Sequence, residues 1–426
     1  MDINIYDYGS LDTGKPCTRY IQKAIDDCFL SGGGEVIIPT GVYSVGGLRL
    51  RSGVTLHLLE NAVLMGSIDP DEYNDYLHDT IEPISKEERE SYAPTAKKGA
   101  SLWEDSRPHS RWNNAIIRAI HAKNIAIIGE YGSEINGQNC FDAQGEEGYR
   151  GPHAINMWFC ENVTLRGYTV RDSANWAHAI QNSQNIMVSE LMVLGGHDGF
   201  DVRTCDNITI ENCRFLTGDD CIAGFDNIGV TVRNCYFESS CNMLRFGGTD
   251  VLVENCNGVA PATYGHRFGL SAEEKQSRAD TTEKCRHNCL SVFSYYCDNR
   301  AEIRKTPGNV VIRNCRFKNP DAIMKLVFGT QWCCNRSLSD ITFESCVFEG
   351  VCKPMRLIAP HEEPLTLRMN RCVITPRVGY EDIPLIQGEN VQKTEFIETR
   401  LDGFGDAGVA GDAISRFLKK TPQKLS

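Results

Sequence analysis

No run of about 18 consecutive apolar residues occurs in this 426-residue chain, so no membrane-spanning helix is indicated. Cations are in deficit: 44 Lys and Arg against 56 Asp and Glu leave a formal charge of −12. That balance argues against a protein that holds nucleic acid through its phosphates. It suits an enzyme for a neutral or weakly charged substrate, or a solvated acidic surface. The opening stretch MDINIYDYGSLDTG has neither a basic nor an apolar region, so no export signal is read there. Nineteen cysteines without such a signal point to a reducing compartment, and a cytoplasmic location is expected. The sequons at Asn162, Asn207 and Asn335 are then chance matches.

Helical periodicity is also scarce. Thr18 to Leu30 is the clear case, with Ile21, Ala24, Ile25, Cys28 and Phe29 on one face, and the SGGG run that follows ends it. The segments EVIIP, GVYSV, LRL, VTLHLL and AVLMGS then read as short strands separated by turn residues. Nothing between them is long enough for a crossover helix, which excludes a doubly wound α/β sheet. Residues 68–112 read as a long polar excursion carrying Trp103, Arg107, His109, Arg111 and Trp112, with a short helix expected over 85–92. A second short helix is expected over 412–420.

From Ala115 a repeat takes over. ENVTLRGYTV, QNIMVSELMV, DNITIENCRF, GVTVRNCYF, DVLVENCNGV, NVVIRNCRF, SDITFESCVF and LTLRMNRCVI share one pattern. Asn162, Asn185 and Asn207 follow one another at 23 and 22 residues, and Cys213, Cys235 and Cys256 at 22 and 21. Cys315, Cys346 and Cys372 continue the phase at longer intervals. Short strands and turns with a period near 22 are a solenoid signature, and the unit is one coil of a parallel β-helix. The expected architecture is an all-β, single-domain parallel β-helix of about ten coils over residues 1–426, capped at its N-terminal end by the helix at 18–30. Loop insertions are expected around 68–112 and 262–305; the second carries the charged, helix-prone SAEEKQSRADTTEKCRHNC.

The repeat also accounts for most cysteines, as a ladder of small apolar side chains turned inward. A disulfide framework is the alternative, and the reducing compartment disfavours it. The asparagines ahead of the strands are expected to form a second ladder that satisfies turn backbone groups. Cys285, His287, Cys289 and Cys297 match no standard zinc spacing, so no metal is expected there.

The chemistry concentrates in LGGHDGFDVRTCDNITIENCRFLTGDDCIAGF, residues 194–225, which holds Asp198, Asp201, Asp219 and Asp220. Asp198 and Asp220 are 22 residues apart. One period of a β-helix is one rung of about 4.8 Å, so the repeat sets Asp198 beside the Asp219–Asp220 pair. Three crowded carboxylates cannot all ionise cheaply, and at least one pKa should rise. A neutral carboxylic acid beside an ionised carboxylate is what glycoside hydrolysis needs: one protonates the leaving oxygen, the other activates water. A calcium site and plain acidic turns are the competing readings. His178, His197, Arg203 and Arg245 fall near the same turn in this register and are candidate substrate contacts; solvated arginines and satisfied turn histidines are the bland alternatives.

GHDG followed by TGDDCIA is similar, in wording and spacing, to the NTDG and GDDC motifs of glycoside hydrolase family 28, the polygalacturonases and rhamnogalacturonases. GPHAINMWFCENVTLRGYTVRDSANW resembles that family's central coils, and residues 31–67 its first coils. The resemblance covers most of the chain. It implies a right-handed β-helix and inverting chemistry, with Asp219 as general acid and Asp198 and Asp220 activating water. Two family motifs are altered. Asn242, in CNMLRFGG, stands where the family carries a histidine that tunes the acid; rhamnogalacturonase-like branches lack it too. YGHRFG keeps Arg267 of the family's carboxylate clamp but has Gly269 in place of its lysine.

The expected activity is inverting, exo-acting hydrolysis of a pectin-type oligosaccharide, with no cofactor and no metal. Catalytic candidates are Asp198, Asp219 and Asp220; substrate-binding candidates are His178, His197, Arg203, Asn242, Arg245 and Arg267. The oligosaccharide is the expected partner, with no nucleic acid and no membrane, and the sequence carries no signal for an oligomeric state. A β-helix polysaccharide lyase with calcium on the carboxylates, or a non-catalytic glycan-binding β-helix, are the alternatives.

Overall fold

In the computed structural model, short strands from successive turns of chain lie in parallel register. The structure describes residues 2–9, 16–74, 79, 81–82, 111–267, 270–277, 284–298 and 302–404. The helices expected over 85–92 and 412–420, and Trp103, Arg107, His109 and Gly269, lie outside these residues. Among the described residues no helix is long and apolar enough to cross a membrane. The chain divides into two compact units: residues 1–205 with 265–285, and residues 206–264 with 286–426.

In the first unit the helix runs Thr18–Leu30 and buries Ile21, Ala24, Ile25 and Cys28; Phe29 is half-buried. It packs on the strands Gly34–Ile38 and Leu48–Arg49. The first edge is also extended by a strand, Asp2–Asn4, in register with Glu35–Ile37. Period-2 alternation then builds the core. Val36, Leu56, Ile127, Leu165 and Val188 are rung partners on successive coils, forming one aliphatic stack. At the bend ahead of these strands Asn162 Nδ2 donates to Asn124 Oδ1 at 2.8 Å, and Asn185 Nδ2 to Asn162 Oδ1 at 3.0 Å. All three asparagines have φ between 53° and 58°. Asparagine tolerates that left-handed conformation, and here its amide also bonds the next coil, so the expected ladder is real and is built side chain to side chain.

The second unit repeats the logic with different side chains. Val251, Val310, Ile341 and Leu367 form its aliphatic stack. On the other side of the coil Phe237, Gly258, Phe317 and Phe348 occupy successive rungs, with Phe317 and Phe348 stacked at 5.6 Å. Gly258 breaks that aromatic column because a Cβ there would lie 2.3 Å from Met243 Sδ. Each corner is an Asn–Cys or equivalent dipeptide: Asn234, Asn255 and Asn314 have φ of 54–56° and precede Cys235, Cys256 and Cys315.

All nineteen cysteines are free thiols, and seventeen are buried. The ladder differs from the expected apolar one, because its sulfurs are hydrogen-bonded. Cys256 Sγ donates to the Glu254 carbonyl at 3.2 Å and accepts the Cys235 amide at 3.4 Å; Cys315 Sγ repeats this with Arg313 and Cys256. Each thiol thus satisfies a corner amide and adds a second donor to a carbonyl that already accepts the Asn234 or Asn255 amide at 3.1 Å. The neighbouring sulfurs and burial push these thiols up to about 12.

The excursion around 262–305 is smaller than expected. Ser291–Tyr295 is not loop but a rung, paired in parallel with Asn242–Phe246 on one side and Ala322–Lys325 on the other. The helix-prone stretch folds as Ala272–Gln276, started by a capping box between Ser271 and Glu274.

Candidate active site

The first unit contributes Asp198, on the turn that leads into the strand Phe200–Arg203. Asp198 is buried, and its carbonyl accepts the Ala177 amide at 2.8 Å. The turn is Gly196–His197–Asp198–Gly199, and Gly196 leaves room for Arg267: a Cβ would sit 2.6 Å from Arg267 Cδ and displace that side chain. Arg267 therefore lies across this turn, with its Nη1 donating to Asn139 Oδ1 at 2.7 Å. His197 is buried, with its ring 6.2 Å from that of Tyr149.

Arg203 is buried rather than solvated. Its Nε and Nη2 donate to the two carboxylate oxygens of Asp201 at 2.7 and 3.0 Å, and its guanidinium stacks 4.5 Å over Trp176. Trp176 meets Trp112 edge-on at 5.2 Å, with His153 against both. Burial holds the His153 imidazole neutral, at about 3.

His178 is a correction. Strand alternation turns it to the interior: it stands on the rung of Ile155 and next to Phe200. Its Nε2 meets the Tyr168 hydroxyl at 3.1 Å and its Nδ1 the Gly199 carbonyl at 3.0 Å. Fully buried and held near 4, it supports the Asp198 turn from inside and offers nothing to a substrate.

The second unit contributes Asp219 and Asp220, on the turn ahead of Ile222–Arg233. The Asp219 carbonyl is fixed by the Thr217 and Ser239 hydroxyls, both at 2.7 Å, while its side chain is half-exposed. Asp220 is fully buried. Its Oδ1 accepts the Asn242 backbone amide at 3.0 Å and the Asn242 side-chain amide at 2.8 Å; its Oδ2 faces Arg245 Nη1 at 3.4 Å. Desolvation and the Asp219 charge raise its pKa to about 6, against the lowering pull of Arg245 and Asn242. The motif that departs from the histidine pattern thus carries an amide that grips one catalytic candidate.

Sequence reasoning missed the groups that hold these residues. Ser291 Oγ donates to Asn242 Oδ1 at 2.7 Å, which fixes the amide with its NH2 toward Asp220. Arg245 stands between Tyr296 and Trp332, 4.4 and 4.5 Å from their ring centres. The expected clamp also changes. The rung beside Asn242–Phe246 is Ser291–Tyr295, with Ser294 opposite Arg245, whereas Arg267 belongs to the first unit and lies on no strand.

Residues 101–239 match the family model described as Glycosyl hydrolases family 28. A probable polygalacturonase of Vitis vinifera is 25% identical over 53% of this chain, and an exo-poly-alpha-D-galacturonosidase of Dickeya chrysanthemi 26% identical over 73%. The chain spans 45% and 60% of those two proteins, about half the length of the curated relatives it matches. A hyperthermoactive exopolygalacturonase from Thermotoga maritima shares the fold with a TM-score of 0.66 at 16% identity, over 95% of this chain and 92% of that one. The right-handed parallel β-helix is the fold this chain shares with that exopolygalacturonase, and Asp198, Asp219 and Asp220 all fall within the residues that match glycosyl hydrolase family 28.

Proposed function

We propose that this protein is an inverting glycoside hydrolase that acts on pectin-type oligosaccharides from one chain end. Asp219 donates the proton to the leaving oxygen, and Asp220 and Asp198 activate the attacking water; two carboxylates and a water suffice for inversion. The observation that carries this reading is Asp220: a fully buried carboxyl beside a half-exposed one, raised to about 6 and aimed by Asn242 and Arg245. Such separation of two neighbouring carboxyl groups is how one site holds both an acid and a base. Asp198, on the turn that also carries Gly196 and His197, is the remaining carboxylate of this proposal, and Arg245 offers a cation to an acidic sugar, whereas Arg203 is spent on Asp201. Exo action and a cytoplasmic location belong to this proposal; the polygalacturonase and exo-galacturonosidase named among the relatives support the substrate class.

The test is reducing-end release on galacturonan, rhamnogalacturonan and neutral side-chain oligosaccharides, with the product anomer read by proton NMR. Single-sugar or fixed-length products of inverted configuration, lost in Asp219→Asn, are the expected result. Random product lengths would reject the exo reading. An unsaturated product would reject hydrolysis, and binding without turnover on any substrate would reject catalysis.

A further inference from the structure

Outward from Asp220 and Arg245 the second unit carries two further cations, Lys325 and Arg356, that the reaction does not use. Rung pairing sets Arg245 beside Ser294, Ser294 beside Lys325, Lys325 beside Arg356 and Arg356 beside Gln387. Side chains at paired positions leave the same face of a sheet, about 4.8 Å apart per rung. Lys325 and Arg356 are exposed, while Met324, Leu326, Met355 and Leu357 on either side of them are buried. The column therefore points to solvent.

Lys325 and Arg356 also differ from several cations near them. Several surface arginines and lysines of this unit are paired: Arg313 with Glu254 at 2.7 Å, Arg368 with Glu395 at 3.0 Å, Lys353 with Asp321 at 2.9 Å and Lys393 with Glu395 at 2.7 Å. Among the described residues no acid lies within ion-pair distance of Lys325 or Arg356. In a chain of net charge −12, aligned cations without acids mark a place where negative charge is to be supplied from outside. Val327 and Ile358, half-buried on adjacent rungs two residues further along the same face, give an apolar flank on which sugar rings can rest.

We propose that Arg245, Lys325 and Arg356 form a track that binds successive carboxylates of an anionic oligosaccharide. This rests on the glycosidase reading above and deepens it, because the ligand must be a polyanion extending several sugars beyond Asp220. Arg245 is the fixed end, wedged between Tyr296 and Trp332. Lys325 and Arg356 follow two and three rungs away, a span of about 10 to 15 Å. A neutral glycan gains nothing from them. Because both are solvated, each contact is modest and screened by salt.

The experiment is calorimetric titration of the full chain carrying Asp219→Asn, so that binding is read without turnover. The probes are a galacturonate hexamer and its fully methyl-esterified counterpart, at low salt. Lys325→Ala/Arg356→Ala in that background should weaken the hexamer about tenfold, and the Glu/Glu double variant should weaken it further. The esterified hexamer should bind equally to all of them, and 0.5 M salt should erase most of the difference. Thermal melting verifies that these exposed substitutions leave the fold intact. Equal hexamer affinity in every variant, equal weakening of the esterified probe, or no hexamer binding by the parent would each overturn the track. The two proposals fail separately. Hydrolysis by wild type with hexamer affinity indifferent to the two cations removes the track alone, and cation-dependent binding with no reducing ends released removes the hydrolase alone.

Discussion

Two arginines, Arg203 buried and Arg245 half-buried, face two buried aspartates in this molecule, and the two pairs are built to opposite ends. In the first unit Arg203 holds both oxygens of Asp201 at 2.7 and 3.0 Å and lies flat on Trp176. That is a closed pair: two guanidinium donors matched to the two oxygens of one carboxylate, with an aromatic face behind. In the second unit Arg245 is also stacked, between Tyr296 and Trp332, but it reaches Asp220 through one contact at 3.4 Å. Asp220 takes its short bonds from Asn242, and the Asp219 charge pushes against it. The first arrangement stabilises a charge; the second leaves a carboxyl near the balance between its two protonation states. The same residue types thus serve structure in one unit and proton chemistry in the other.

The largest effects should separate the two pairs by what is lost. Asp220→Asn removes a group that must exchange a proton, and kcat should fall about a thousandfold on whichever substrate the panel identifies. The fold should survive, and at pH 7 it should gain stability. The raised pKa means that the native state resists ionisation of Asp220, so its contribution is most favourable below about pH 4 and declines as pH rises through about 6. Urea titration should find the variant about 1 to 3 kcal/mol more stable than wild type at pH 7, with the gap closing toward pH 4. A variant less stable at pH 7 would mean that Asp220 is held by its partners as firmly as Asp201.

Arg203→Ala is the converse. It leaves Asp201 buried without its bidentate partner and takes the cation off Trp176. Breaking a buried pair from one side typically costs about 3 kcal/mol, which should appear as an earlier urea midpoint with an unchanged slope. Arg245→Met should cost less, because its indole and phenol neighbours can close on the thioether and the arginine meets Asp220 at a longer distance, 3.4 Å, than Arg203 meets Asp201.

Much of this architecture is legible in the sequence because the coil repeats its own instructions. An Asn at the bend, alternating aliphatics, and an Asn–Cys corner state the period directly, and Asp198 and Asp220 are found by counting it. What the pattern hides has physical causes. His178 sits in the right coil but on the inward side of its strand, a one-residue difference that reverses the face. Ser291–Tyr295 carries no Asn or Cys signal, so a whole rung is lost inside the 59-residue interval from Cys256 to Cys315, and with it the residue that orients Asn242. The hydrogen-bonded thiols look apolar in sequence because their partners are backbone groups of neighbouring corners. Arg203 and Asp201 are two residues apart, but that spacing alone does not distinguish a solvated arginine from a buried fork.

Titration of activity sharpens the contrast further. If Asp220 activates water it must be ionised, so kcat/KM should rise with pH through about 6 and level above it. In Arg245→Met the lowering pull is gone, and this rising limb should move to higher pH by about half a unit to one unit. A limb that falls near 6 and also moves upward in the variant would instead make Asp220 the proton donor and exchange its role with Asp219. A limb that stays in place would mean that the proton lost near 6 belongs to another group.

The smallest change tests the subtlest part of the second pair. Ser291 touches no carboxylate; its hydroxyl holds Asn242 Oδ1 at 2.7 Å, and this decides which end of the amide faces Asp220. In Ser291→Ala the amide can turn its oxygen toward the carboxyl. That replaces a donor by an acceptor, favours the protonated form and raises the limb, by a few tenths of a pH unit at most, because the Asn242 backbone amide at 3.0 Å stays in place. Thermal stability should drop by about 1 kcal/mol for the lost buried hydrogen bond. Ser291→Thr, which keeps the hydroxyl, should restore the limb if the role is positioning. A variant that loses stability without moving the limb would make Ser291 a packing residue and leave the backbone amide as the grip that matters on Asp220.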